Sequence, residues 1–122
     1  MTTFNLVVLY VKDSDASAAF YKALLDQPIA QSSPKFSVLP LGGGGMLGLW
    51  QRDAVEPRGG DELGGSEIVF TVADANAVNA THEAWKARGA KTAQVPTTLP
   101  FGHTFVALDP DGHRLRVLAP AN

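Results

Sequence analysis

The sequence contains no cysteine. Disulfides, thiolate nucleophiles and sulfur metal ligands are therefore excluded. It also lacks an unbroken apolar run of about eighteen residues, so no membrane-spanning helix is expected. The opening Met1-Thr2-Thr3-Phe4-Asn5 has neither the basic segment nor the apolar stretch of a signal peptide. The cytoplasm is the expected compartment. Positive charge is not in excess: 10 Lys and Arg stand against 12 Asp and Glu, a net charge of −2. Sequence-independent nucleic-acid binding needs a basic face and is not expected. The 3 histidines include no pair at metal-ligand spacing. The glycines at 42–45 are not followed by Gly-Lys-Ser/Thr, which argues against a phosphate loop. Asp109-Pro110-Asp111-Gly112 lacks the later glutamate of a calcium loop. No Gly-x-Ser-x-Gly elbow marks a serine hydrolase. Asn79-Ala80-Thr81 matches a glycosylation sequon but falls in a predicted helix, and is read as coincidence.

What is present suits one packed domain. The chain has 122 residues, 45% hydrophobic and 18% charged, enough apolar material for a core. It also repeats itself. Val7-Val8-Leu9-Tyr10-Val11-Lys12-Asp13 resembles Ile68-Val69-Phe70-Thr71-Val72-Ala73-Asp74, half a chain length later. Both runs are β-branched and aromatic, and both end at an Asp placed to cap a following helix.

Two helices follow at matching places. The first is predicted over 14–25, with Ala16, Ala19, Phe20, Ala23 and Leu24 at helical spacing. The second is predicted over 75–88, with Val78, Ala84 and Trp85 on its apolar side. Gly89 ends the second, and Asp26-Gln27-Pro28 ends the first. Strands are predicted at 29–32, 35–41 and 46–51, and again at 92–97, 103–108 and 114–118. Tight turns at 42–45 and 109–112 join the later strands. The polar, Gly- and Pro-rich stretch 52–65 reads as a linker. The expected fold is α+β, a single domain over 1–122. It comprises two tandem βαβββ modules, about 1–51 and about 66–122, each with its helix on one face of a mixed sheet.

This order resembles the vicinal-oxygen-chelate superfamily, the glyoxalase, bleomycin-resistance and dioxygenase group. Tyr10-Val11-Lys12-Asp13 with Ala19-Phe20-Tyr21-Lys22-Ala23-Leu24-Leu25 is similar to that group's opening strand and helix. Asp26 stands where Gly is common. The run from Phe105 through Asp109-Pro110-Asp111-Gly112 to Val117 is similar to its closing hairpin. The resemblance covers nearly the whole chain and is nearest to small bacterial proteins of glyoxalase or bleomycin-resistance type. It implies a curved sheet cup with helices outside, and a homodimer.

It also implies four metal positions, on the first and last strand of each half. Here they hold Leu6, Gly48, Glu67 and Arg116. Leucine and glycine supply no donor atom, and arginine stays protonated. No bound metal and no other cofactor are therefore expected. The same alignment predicts that Glu67 and Arg116 pair with each other, facing inward, with a cost of about 3–5 kcal/mol if the pair were buried and broken. Tyr10, Phe36, Met46, Gly48, Trp50 and Phe101 are expected to line a ligand pocket, with room left beside Trp50 by Gly48. Glu67, Arg116 and His103 are expected to orient the ligand. Trp85 is expected in the core, and His82 and His113 in structural roles. The resemblance implies a metal-free binder of an apolar or aromatic natural product or drug. The alternative is a glyoxalase-like lyase or isomerase with an altered or unrecognised metal site, using Glu67 or His103 to move a proton.

Overall fold

The computed structural model describes residues 2, 4–59 and 62–121. Met1 and Thr3 in the signal-peptide reading, and Gly60 and Asp61 in the expected linker, lie outside the described residues. The chain divides into two compact units, Met1–Leu63 and Gly64–Asn122. Among the described residues no helix is long and apolar enough to cross a membrane.

The first unit runs β1 (Leu6–Val11), α1 (Ser14–Leu25), β2 (Gln31–Ser33), β3 (Phe36–Gly42) and β4 (Gly45–Gln51), then a short 3-10 turn at Arg52–Ala54. Its sheet has the order β1-β4-β3-β2. The second runs β5 (Glu67–Thr71), α2 (Ala75–Ala87), β6 (Lys91–Leu99), β7 (Gly102–Leu108) and β8 (Arg114–Pro120). Its sheet has the order β5-β8-β7-β6. In each unit the first strand lies parallel to the last, and the other pairs are antiparallel. The fold is α+β, built from two βαβββ modules.

The sequence repeat is thus a structural repeat, and its register holds residue by residue. Leu6 pairs with Met46, Val8 with Gly48 and Tyr10 with Trp50. Glu67 pairs with Arg114, Val69 with Arg116 and Thr71 with Leu118. The caps match as well. The Asp13 carboxylate accepts from the amides of Asp15 and Ala16. The Asp74 carboxylate accepts from the Ala77 amide. Each satisfies donors that the first helical turn leaves free. The turn at 42–44 takes three successive left-handed glycines, a conformation that side chains with a Cβ resist.

Strand alternation sends one face of each sheet to its helix. In the first unit Leu9, Val11, Leu39, Leu47 and Leu49 are buried there, under α1. The face that α1 buries differs from the expected one. It is Ser14, Ser17, Ala18, Tyr21 and Leu24, while Ala16, Ala19 and Ala23 are exposed. Three alanines bring little area to bury, whereas Tyr21 and Leu24 bring much. Small Ser17 and Ala18 let the helix approach the sheet closely. In the second unit α2 buries Val78, His82 and Trp85. Trp85 meets Phe70 and Phe105 edge to face, at 5.7 and 5.6 Å. The His82 imidazole bonds the Thr92 hydroxyl at 2.9 Å. His113 bonds the Ser66 hydroxyl at 2.6 Å within the turn before β8. Trp85 lies in the core, and both histidines are buried.

Candidate functional site

The face of the first sheet turned away from α1 gathers Leu6, Val8 and Tyr10 from β1, Phe36, Val38 and Pro40 from β3, and Met46, Gly48 and Trp50 from β4. Most are only half-buried, and no charged side chain stands among them. Phe36 and Trp50 are cross-strand partners and meet edge to face at 5.9 Å. The Tyr10 ring packs over the backbone of Gly59, where an added Cβ would lie 2.8 Å from its edge. All five pocket residues expected from this unit therefore share one face. Val38 and Pro40 belong to it too and were not anticipated.

The room expected beside Trp50 is filled. A Cβ at Gly48 would sit 2.9 Å from Leu6 Cδ1, 3.2 Å from Val8 Cγ2 and 3.3 Å from Phe36 Cε1. The missing side chain at Gly48 is what lets those three converge.

The corresponding face of the second sheet carries a polar group among apolar residues such as Val69 and Val106. Arg116 Nε donates to Glu67 Oε1 at 3.3 Å. Arg116 Nη1 reaches Gln94 Oε1 at 3.4 Å and Thr104 Oγ1 at 3.2 Å. The Thr104 hydroxyl in turn donates to the Val117 carbonyl at 2.8 Å. Phe101 covers one face of the guanidinium, 5.5 Å from Cζ to the ring centroid. Glu67, Phe101 and Arg116 thus meet as a group. Gln94 and Thr104, which complete it, were missed from sequence. Irregular register on both sides of Gln94 in β6 breaks the alternation that would have placed it.

The Glu67–Arg116 pair forms, but it is not enclosed. The Arg116 side chain is 15% exposed and that of Glu67 37%. An open, single-point ion pair contributes under about 1 kcal/mol, below the value expected for a buried one. Most of what holds Arg116 is its contact with Gln94, Thr104 and Phe101.

His103 is elsewhere. It pairs with Thr98 across β6 and β7, and its Nδ1 lies 2.9 Å from the Thr98 hydroxyl. Its Nε2 lies 3.0 Å from Asn79 Oδ1 on α2. The helix side of the sheet therefore holds His103, on the opposite face from Arg116. One residue of alternation separates His103 from Thr104, which does face Arg116.

The four positions at which the resemblance implies metal ligands hold side chains that do not fit a divalent ion. Leu6 caps Gly48, and Glu67, the one carboxylate, is held by Arg116. Among the described residues no three His, Cys, Asp or Glu side chains cluster as a metal site would require.

Comparison with known proteins accords with this fold. The chain is 46% identical to protein ATC0852 from Agrobacterium tumefaciens, known from a solution NMR structure, over 100% of both chains with a TM-score of 0.89. It is 28% identical to the phenazine antibiotic resistance protein EhpR of Enterobacter agglomerans over 123 residues, covering 94% of this chain and 90% of that protein. A lactoylglutathione lyase from Agrobacterium tumefaciens shares the fold at 20% identity, with a TM-score of 0.78 over 98% of this chain and 94% of the other. The family model matches residues 3–117. The chain belongs to the Glyoxalase/Bleomycin resistance protein/Dioxygenase superfamily.

Proposed function

We propose that this protein is a metal-free binder of planar apolar or aromatic small molecules of antibiotic type, and that it holds them without chemical change. The observation that carries this reading is the uncharged face of the first sheet, where Phe36, Met46, Trp50 and Tyr10 stand half-exposed around the filled position of Gly48. A flat aromatic ligand gains most from such a face, by stacking and by removal of apolar area from water. The relationship to a phenazine antibiotic resistance protein supports the same ligand class, because phenazines are flat fused-ring aromatics. The donor set at the metal positions supports binding in place of metal-assisted catalysis. In this reading residues 1–122 act as one domain, in the cytoplasm, as a homodimer.

Titration with phenazine tests it. Trp50 fluorescence is expected to quench saturably, with a dissociation constant on the order of micromolar, and mass spectrometry is expected to recover the phenazine unaltered. Trp50→Ala should abolish the response, while Trp85→Phe, which alters only the core, should keep it. No quenching by phenazine would remove the proposal. Stoichiometric nickel, zinc or manganese together with lactoylglutathione formation would replace it with a glyoxalase-like lyase.

A further inference from the structure

We infer that the second sheet carries a site for a carboxylate, built on Arg114 and Arg116. The site uses different residues from the aromatic face of the first sheet, and does not depend on it. A cleft of about 240 Å³ lies against Ala93, Gln94, Val106, Arg114 and Arg116. Its lining is chiefly polar, as a recognition site for an ion requires.

The charges on this face do not balance. Register places Lys91, Leu108, Arg114 and Glu67 in one row across the four strands. Gln94, Val106, Arg116 and Val69 form the next row. Three cations thus stand near one carboxylate, in a protein whose net charge is −2. Glu67 is engaged by Arg116 Nε. Asp109, after β7, turns into the hairpin, where its Oδ1 accepts from the amides of Asp111 and His113 at 2.9 and 2.8 Å. Arg114 is exposed and makes no ion pair among the described residues.

Arg116 is fixed in a way that leaves it able to donate. Nε is used by Glu67, and Nη1 by Gln94 and Thr104. Phe101 covers one face. Both hydrogens of Nη2 have no acceptor among the described residues. The guanidinium is therefore held from three directions with Nη2 free, and its ordering cost is already met by the fold. A free Nη2 beside a second, exposed guanidinium suits a carboxylate that bridges them, one oxygen accepting from each arginine.

The experiment follows the Nε–Hε resonances of Arg114 and Arg116 by NMR while benzoate, benzamide or inorganic phosphate is added to the intact protein. Benzoate should shift both resonances saturably. Benzamide, which matches its shape without charge, should not. Phosphate should bind at least about fivefold more weakly, because it lacks a ring to pack against Val106 in the cleft. Arg114→Gln removes a side chain that supports nothing else, so it should fold normally and weaken benzoate about fivefold or more. Arg88→Gln, at the C-terminal cap of α2, should leave benzoate affinity unchanged. Equal affinity for benzoate in Arg114→Gln and wild type would overturn the site, as would equal shifts from benzamide. Phosphate binding as tightly as benzoate would overturn the carboxylate assignment. Failure of phenazine to bind would leave these outcomes untouched.

Discussion

Leu6 lies over the backbone of Gly48 at the place in the first sheet where Glu67 meets Arg116 in the second. Each contact runs diagonally across the parallel pair that joins the first strand of a module to its last. One backbone geometry, used twice, carries a hydrophobic plug in one module and a polar node in the other. Here a leucine has taken the space that a side chain at Gly48 would occupy.

Gly48→Ala should therefore destabilise the protein by about 1–2 kcal/mol, through crowding against Leu6, Val8 and Phe36. Leu6→Ala in the same chain should recover part of that loss, because the two changes share one volume. Urea unfolding of both single variants and the double variant measures the coupling. Additive costs would show that the two residues do not compete for space.

Arg116→Ala should cost more than Glu67→Gln. The arginine loses its bonds to Gln94 and Thr104 and its packing on Phe101, an effect of about 1–3 kcal/mol. The glutamate is 37% exposed, so its neutralisation should cost under about 1 kcal/mol and less in high salt. Denaturation at low and high salt separates the two. Equal costs would mean that the ion pair itself dominates.

Asp26 sits at the end of α1 in the left-handed conformation, with φ at 51°. Asp26→Gly should stabilise by about 0.5–1 kcal/mol. Glycine adopts that conformation without strain, and the change removes a negative charge from the negative end of the helix dipole. A thermal midpoint that fell would show that the Asp26 side chain makes a compensating contact.

His103→Ala should leave phenazine and benzoate binding unchanged within about twofold, and cost about 1 kcal/mol of stability. Its partners Thr98 and Asn79 put it on the helix side of its sheet. Large loss of ligand affinity without loss of stability would reassign His103 to a binding role.

Much of this molecule was legible without coordinates. Asp13 and Asp74 marked both helix starts because a carboxylate before a helix has one strong local use. The β-branched runs that end at those residues exposed the repeat, and the repeat fixed the register that aligns Gly48 with Arg116. What misled was local too. Ala16, Ala19 and Ala23 are apolar by type but too small to decide which side of α1 turns inward, and Tyr21 decided it. Gln94 was hidden by the irregularities in β6, since a bulge erases the alternation from which a facing residue is read.

By itself, then, the sequence determined the βαβββ repeat, the helix limits and which residues of the two modules correspond, because caps, periodicity and strand pairing act over short stretches of chain. Only the tertiary structure decided that Leu6 fills the space at Gly48, that Arg116 is held by Gln94, Thr104 and Phe101, and that His103 lies on the opposite face. Those outcomes depend on which side chains meet across strands, and a single shifted residue in a strand reverses the face on which they meet.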